Sequence, residues 1–343
     1  MTAPPGRITC LPLTGIGEIR TGDDLATVLG SAGRLHDGDI LVVTSKVVSK
    51  AEGRVVRGDR ADLLADETER VVATRGDTSI VRTHHGLVMA AAGIDASNTE
   101  PGTVVLLPVD PDASARALRE RIAAGGGPNV AVVVTDTSGR AWRNGQTDLA
   151  IGAAGLEVMH DYQGRSDDYG NLLAVTAPAV ADEIAGTADL ATGKLSRSPA
   201  AVVRGLSGLV LAPSEHGPGA RALVREESHD MFGYGAREAV LHAVHPDPGA
   251  LPGFGHPAGP EHLAAALRAT CPPATVRART DGAVEVHLAG VSGPESQRAL
   301  GAAEARLTTT AHAMGWRRDH GGDPADIPPP GMDVRLRFCA PVP

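Results

Sequence analysis

The chain has 343 residues, which is more than one typical hydrophobic core needs and predicts two domains. Its 32 Lys and Arg residues against 41 Asp and Glu residues give a net charge of -9, which argues against binding nucleic acid through a broad basic face. A small phosphate-bearing ligand stays compatible with this charge, because a few cations and backbone N–H groups are enough to bind phosphate.

The cysteines Cys10, Cys271 and Cys339 are widely spaced and odd in number. This pattern is typical of neither a disulfide framework nor a zinc site, and it favours a reducing compartment. The N-terminus lacks the apolar core of a signal peptide, and no run approaches the roughly 20 apolar residues of a membrane span. We therefore expect a cytoplasmic protein without a membrane or nucleic-acid partner.

Strand-like and helix-like segments are intermixed over residues 1–243. Runs of apolar and β-branched residues predict strands at 7–13, 39–45, 103–109, 129–136 and 200–206. Acidic starts, helical periodicity and glycine stops predict helices at 23–33, 60–76 and 110–126. This mixture indicates an α/β or α+β domain.

A Pro- and Gly-rich segment at 244–260 interrupts the pattern and predicts a linker. Beyond it, the order helix, strand, strand, helix, strand predicts a small α+β domain over 261–343. Its first two strands form a hairpin with Asp281-Gly282 as the turn signal. The sequence assigns no function to this accessory domain.

Two stretches in the first domain follow strands and could approach a ligand. The turn Gly15-Ile16-Gly17 would allow close backbone contact, although a plain tight turn is the simpler interpretation of this segment alone. Ser45, Lys46, Ser49 and Lys50 follow the second strand, where ligands of α/β sheets usually bind, and the alternative is a solvated strand or helix edge. No G-x-G-x-x-G or P-loop motif occurs, so those two phosphate cradles are excluded.

Two further stretches carry candidate metal ligands. Asp95 and Asn98 follow a run of small residues, and they either cap a turn or offer a carboxylate and an amide to a ligand. Asp136 and Thr137 follow the buried strand at 129–136. Mg²⁺ and Mn²⁺ prefer a few carboxylate and hydroxyl oxygens together with phosphate, so Asp95 and Asp136 at two strand ends predict one shared metal site.

The segment that follows, with Arg140 and Arg143, is unusually dense in polar groups. Two arginines beside a metal site would neutralise a transferring phosphoryl group or a substrate carboxylate. The alternative is a surface network of Arg and Asp. The sequence contains no H-E-x-x-H motif and no G-x-S-x-G motif, so zinc and serine-hydrolase chemistry are disfavoured.

Taken together, these segments resemble the F420 γ-glutamyl ligase family over about residues 7–240. The resemblance is carried in order by "LPLTGIGEI", "DGDILVVTSKVVSKAEGRVV", "GLVMAAAGIDASN", "LLPVDPDASARALR", "VVVTDTSGRAWRNGQTDLAIGAAGL" and "VADEIAGTADLATGKL". It implies a GTP-dependent ligase that joins L-glutamate to coenzyme F420-0 through an acyl phosphate. Glutamate is added first to the lactyl carboxylate and then as a γ-linked chain.

The resemblance also implies roles for individual residues. Those expected to contact GTP are Ile16, Gly17, Glu18, Ile19, Ser45, Lys50 and Asn98. Those expected to bind two divalent ions, Mn²⁺ or Mg²⁺, are Asp95 and Asp136 for one ion and Thr137 for the second, with K⁺ as a possible activator. The expected catalytic residues are Asp136, Arg140 and Arg143, the two arginines being assigned by position and charge.

The family has an α+β fold and forms an intertwined homodimer, so the same is expected here. Some relatives carry a flavin-binding domain after the ligase domain. The tail after residue 244 is about half the length of that domain and has no recognisable feature of it, so FMN binding is not expected here. Two other functions stay open, a metal-dependent nucleotide phosphohydrolase that uses Asp95 and Asp136, and a catalytically idle nucleotide-binding protein.

Overall fold

The computed structural model describes residues 7–289, 293–319 and 333–341. It divides into two compact units, Met1–Val224 and Arg225–Pro343. The helices are α1 (Leu25–Ala32), α2 (Ser45–Ala51), α3 (Arg60–Leu64), α4 (Pro111–Ala124) and α5 (Val180–Thr192) in the first unit, and α6 (Ala236–Val244), α7 (Pro260–Thr270) and α8 (Pro294–Ala313) in the second. No helix among these residues is long and apolar enough to cross a membrane.

The strands complete this inventory. They are β1 (Thr9–Leu13), β2 (Ile40–Thr44), β3 (Val55–Arg57), β4 (Thr68–Arg75), β5 (Thr78–Thr83), β6 (Val88–Ala90), β7 (Thr103–Val105), β8 (Ala131–Arg140), β9 (Arg143–Ala154) and β10 (Ala200–Arg204) in the first unit, and β11 (Thr275–Ala278), β12 (Val284–Leu288), β13 (Arg317–Arg318) and β14 (Val334–Cys339) in the second. The mixed α+β class is confirmed.

A five-stranded sheet with the order β1-β10-β2-β8-β9 forms the centre of the first unit. Strands β2 and β8 are parallel, and the other neighbours are antiparallel. The β-branched runs of β2 and β8 are buried on both faces, since one face packs against α1, α2 and α4 and the other against α5. Residues that follow β2 and residues in the second half of β8 therefore lie next to each other.

The prediction of a helix over residues 60–76 is correct for the first turn and wrong for the rest of the segment. Helix α3 ends at Leu64, and the chain then forms β4, which pairs with β5. The segment Thr68–Arg75 contains adjacent valines and two threonines, and β-branched residues favour a strand once a neighbouring strand is available. The helical periodicity of a segment does not show whether a neighbouring strand such as β5 is available to pair with it.

Strand β8 extends further than predicted. It continues past Asp136 to Arg140 and forms a long hairpin with β9. The polar residues after 136 therefore lie on paired strands, and Asp136 is within a strand rather than at its end. By contrast, β7 ends at Val105, four residues before the predicted end.

The second unit contains a four-stranded sheet with the order β11-β12-β14-β13 and two helices, α7 and α8, packed on one face. The hairpin, both helices and the final strand are confirmed as elements, and β13 is an addition. The predicted hairpin end Gly290 and strand start Met332 lie outside the described residues. The limits predicted for the domains, 1–243 and 261–343, stay a prediction.

The segment 244–260 differs from an extended linker. It forms a 3₁₀-helix at Pro248–Phe254 in which Ala250 and Leu251 are buried. The Tyr234 hydroxyl donates a hydrogen bond to the Ala250 carbonyl at 2.6 Å. Apolar side chains within the Pro- and Gly-rich stretch therefore fold this segment into the second unit.

A left-handed turn leads into Asp95. Ala91, Ala92 and Gly93 have φ values of +49°, +53° and +70°, and a left-handed residue other than glycine costs roughly 1–2 kcal/mol. Ala92 is buried in a small cluster with Val81 and Val104, which holds the turn in place. Directly after the turn, the backbone of Asp95 exchanges two hydrogen bonds with Val105, at 3.0 and 2.8 Å. The position of Asp95 is thus fixed by strained but well-packed backbone.

Candidate functional site

The first two residues of α2 each contact one of the two candidate metal carboxylates. Ser45 Oγ donates a hydrogen bond to Asp136 Oδ1 at 2.9 Å, and Lys46 Nζ lies 2.7 Å from Asp95 Oδ2. The parallel pairing of β2 and β8 places Thr44 beside Thr135, so the next residue on each strand also lies close to the other. The structure therefore places Asp95 and Asp136 at the same end of α2.

Asp95 is held by a compact set of donors. Its carboxylate accepts hydrogen bonds from the Ser97 backbone N–H at 2.6 Å and from the Ser97 hydroxyl at 3.0 Å. Lys46 Nζ also donates to Ser97 Oγ at 2.7 Å. Burial raises the pKa of Asp95, but the hydrogen bonds from Lys46 and Ser97 and the Lys46 charge together hold it below its ordinary value. Asp95 is thus ionised at neutral pH.

Asp136 lies in the opposite electrostatic situation. The pKa of Asp136 is raised to about 7: burial has the largest effect and the charges of Asp148 and Asp95 add to it, while the Ser45 hydrogen bond and the Lys46 charge lower it. A buried carboxyl group with this pKa lacks sufficient positive charge around it. Such a group is a candidate for a functional site when it lies beside other ligand-binding groups.

These carboxylates fit a divalent ion that a substrate would also help to bind. No group of three or more His, Cys, Asp and Glu residues suited to a metal ion occurs in the described part of the chain. Mg²⁺ commonly needs only one or two protein carboxylates, because waters and phosphate oxygens complete its shell. Asp95 and Asp136 provide that smaller set, and one more positive charge would relieve the raised pKa of Asp136.

Thr137 does not join this pair. Successive side chains of a strand point to opposite faces, so Thr137 lies on the side of β8 away from Asp136. Its hydroxyl donates to Asp148 Oδ1 at 2.7 Å, and the Thr135 hydroxyl donates to Oδ2 of the same carboxylate at 2.9 Å. A metal ion at Thr137 would therefore lie close to Asp148 and not between Asp95 and Asp136.

Lys50 connects the other predicted nucleotide-binding residues. It is only 8% exposed. Its ammonium group donates to the Asn98 carbonyl at 2.9 Å and forms a short ion pair with Glu18. Asn98 has a left-handed φ of +56°, which asparagine tolerates better than most residues. The loop 16–19, Lys50 and Asn98 thus meet at one place, and the Glu18 side chain, 69% exposed, can move aside for a phosphate.

Arg140 and Arg143 lie apart from both groups. They face each other at the tip of the β8–β9 hairpin, where both are exposed. Four residues separate Arg140 from Asp136, which is about 13 Å along an extended strand. Between the arginines, Trp142 is 87% exposed and has a φ of +64°. No ion pair among the described residues joins either arginine to Asp95 or Asp136.

Two contacts were not assigned from the sequence. The spacing of Lys46 and Lys50 predicts that both ammonium groups face phosphate oxygens, and the structure adds the contacts of Lys46 with Asp95 and Ser97, which that spacing does not predict. Ser97 carried no recognisable signal, since its role depends on the turn that follows Asp95. Glu18 was expected to act through its backbone, whereas its carboxylate contacts Lys50.

Comparison with known proteins identifies related sequences. A family model described as F420-0:Gamma-glutamyl ligase matches residues 15–63 and 57–205. The chain is 43% identical over 222 residues to a coenzyme F420:L-glutamate ligase of Archaeoglobus fulgidus, covering 59% of this chain and 89% of that protein. It is 37% identical over 250 residues to the protein of the same name from Methanopyrus kandleri, covering 67% of this chain and 98% of the relative. The matched residues include all candidate site residues.

Replacing Asp136 and Asp95 by Asn should have opposite effects on the stability of the metal-free protein. Asp136→Asn should raise the free energy of unfolding at pH 8 by about 1–3 kcal/mol, because it removes a buried charge. Because the pKa of Asp136 is raised in the folded state, its ionisation destabilises the folded wild type increasingly as pH rises. The stability gained by Asp136→Asn should therefore grow from about pH 4 to about pH 7 and then level off.

Asp95→Asn is the matched control and should lower the free energy of unfolding by about 1 kcal/mol at pH 8. Its pKa is lowered in the folded protein, so the loss should disappear as pH falls through that pKa. Urea unfolding in chelator-containing buffers, followed by circular dichroism from about pH 3 to pH 8, measures both effects. Destabilisation by Asp136→Asn at pH 8 would refute the assigned electrostatics.

Proposed function

Because the chain belongs to the F420-0:gamma-glutamyl ligase family, we propose that it is a GTP- and divalent-metal-dependent ligase. It adds L-glutamate to coenzyme F420-0, first at the lactyl carboxylate and then as a γ-linked chain, and it releases GDP and phosphate. The observation that carries this proposal is the pair of carboxylates, Asp95 and Asp136, held by consecutive residues at the start of α2.

The proposed reaction has two displacement steps. A carboxylate oxygen of the acceptor attacks the γ-phosphorus of GTP, the bond to the GDP oxygen breaks, and an acyl phosphate forms. The glutamate amine then attacks the acyl carbon, the bond to the phosphate oxygen breaks, and the nitrogen loses a proton. Neither step needs a nucleophile from the protein, so the protein contributes mainly positioning and charge stabilisation.

The residues around α2 suit these requirements. Lys46 and Lys50 lie four residues apart on the helix and would attract the phosphates of the nucleotide. Lys50 would hold the nucleotide between the loop 16–19 and Asn98, with Ser45 near the phosphates. A divalent ion bound by Asp95 and Asp136 would supply further positive charge for the phosphate oxygens.

We further propose that the protein acts as a homodimer in which Arg140 and Arg143 serve the partner's site. The arginines lie at an exposed hairpin tip, away from the carboxylates of their own chain. Large apolar side chains are also exposed on this unit, among them Trp142 at 87% and Leu195 at 93%. Pairing of two chains would cover such groups and would bring the arginines to a second site.

Mass spectrometry of the reaction products tests the proposed activity. Purified protein with coenzyme F420-0, L-glutamate, Mn²⁺ and GTP should form products that are heavier by successive glutamyl units. ATP in place of GTP should not support this. Asp136→Asn should reduce the rate of glutamate addition by about 10³-fold or more, because it removes a carboxylate ligand of the divalent ion that would stabilise charge on the phosphates.

The surface substitution Asp62→Asn is the matched control and should leave the rate unchanged, since Asp62 is exposed on α3. GTP hydrolysis without a glutamylated product would instead support the phosphohydrolase. Absence of any turnover with bound nucleotide would support the idle binding protein. Either result would refute the ligase proposal.

Mixing two inactive variants tests whether the arginines act in the partner's site. An equal mixture of Asp136→Asn chains and R140A/R143A chains should recover about one quarter of wild-type activity. Half of randomly formed dimers are mixed, and each mixed dimer has one intact site. Each variant alone stays inactive in this scheme. A mixture that exchanges subunits yet gains no activity would show that the arginines do not act across the dimer.

A further inference from the structure

One face of the sheet in the second unit is strongly polar. Its other face packs against α7 and α8 through buried residues such as Val286, Leu336 and Phe338. Because side chains alternate along a strand, the residues between them point away from the helices. These outward residues are Thr275, Arg277, Glu285, His287, Arg317, Arg335, Arg337 and Cys339. None of them is aliphatic, and none is Phe, Tyr or Trp.

The centre of this polar face is neutralised by ion pairs. Cross-strand pairing places Glu285 between Arg337 and Arg277, and of these two arginines only Arg337 is within ion-pair distance of its carboxylate. Arg337 lies 2.9 Å from Asp281, 3.2 Å from Asp319 and 3.4 Å from Glu285. This single guanidinium is thus shared among three carboxylates, and the network rigidifies the middle of the sheet.

Three arginines around that centre have no such partners. Arg277, Arg317 and Arg335 are exposed, and none forms an ion pair with a residue that the structure describes. Arg277 and Arg317 lie on the two outer strands of the sheet, and three strand spacings, about 14 Å, separate these strands. Arg335 lies on an inner strand. Among the described residues, the face therefore presents three separated guanidinium groups that no carboxylate neutralises.

We propose that this face of the second unit binds a flexible chain that carries several carboxylates. In terms of the proposed function, on which this identification rests, the ligand is the γ-glutamyl chain of the product. A guanidinium group matches the planar geometry of a carboxylate and donates two parallel hydrogen bonds to it. Arginines spaced across a sheet suit carboxylates that recur along one chain, whereas one compact anion could engage only one of them.

The composition of the face distinguishes this ligand from nucleic acid. Proteins that bind single strands on an open sheet commonly stack bases on aromatic side chains, and Phe, Tyr and Trp are absent from the outward residues. The net charge of the whole chain, -9, further disfavours a long polyphosphate backbone.

Direct binding by the full-length protein tests this proposal. Fluorescence anisotropy would measure the affinity for labelled tetra-γ-L-glutamate in low-salt buffer, with a labelled single-stranded oligonucleotide as the competing ligand class. The R277Q/R335Q variant should bind the tetraglutamate about tenfold more weakly, since two charge-assisted contacts are lost. Both side chains are exposed and without described ion pairs, so the fold should be retained.

The matched control is R298Q/R306Q, which removes two exposed arginines from α8, on the opposite side of the sheet. This variant should bind the tetraglutamate like the wild type. Equal weakening by both variants would indicate a non-specific charge effect and overturn the proposal. So would unchanged affinity in R277Q/R335Q, absence of tetraglutamate binding in the wild type, or tighter binding of the oligonucleotide.

Product analysis separates failure of this inference from failure of the ligase proposal. The R277Q/R335Q variant should add the first glutamate at the wild-type rate and form shorter γ-glutamyl chains at equal turnover. Unchanged chain lengths would count against the site while leaving the ligase intact. If the wild type adds no glutamate at all, the ligase proposal fails, and the binding measurement still decides whether the face takes an oligocarboxylate.

Discussion

The parallel pairing of β2 with β8 is the constraint on which the candidate site depends. Because Thr44 lies beside Thr135, the start of α2 is brought next to the middle of β8, and Ser45 can donate its hydroxyl hydrogen to Asp136. The next residue, Lys46, contacts Asp95, which belongs to a different part of the chain. This strand register thus brings Asp95 and Asp136, which are distant in sequence, to the helix that carries Lys46 and Lys50.

The site is costly to the isolated chain in two ways. Asp136 is a buried carboxyl group whose pKa is raised to about 7, and the turn before Asp95 contains two left-handed alanines. Strain and uncompensated charge of this kind persist where the surrounding packing enforces them, and they are concentrated at functional sites. A bound cation would offset the first cost, because Lys46 supplies only part of the positive charge that Asp136 needs and Ser45 contributes a hydrogen bond but no charge.

Four strands of the central sheet, β1, β2, β8 and β10, could be predicted because they are apolar runs, and the helices α1, α4, α7 and α8 could be predicted from their periodicity and end signals. Helices α2, α5 and α6 and strands β3, β5, β6 and β9 were not predicted. The failures have physical causes. The segment 60–76 has residues compatible with a helix, but its pairing with β5 is a tertiary effect. The proximity of Asp95 and Asp136 was inferred from strand ends, yet Asp136 lies within β8. The outward position of Arg140 and Arg143 depends on the length of the β8–β9 hairpin, which composition does not encode.

Binding of Mn²⁺ to the metal-free protein tests most directly whether α2 joins Asp95 and Asp136 into one cation site. Electron paramagnetic resonance of free Mn²⁺ at pH 8 would give the affinity of the wild type, Asp95→Asn, Asp136→Asn and the double variant. A shared site predicts that each single variant binds weakly and that the double variant is little worse than the weaker single. Losses that simply add, or wild-type affinity in either single variant, would contradict the account.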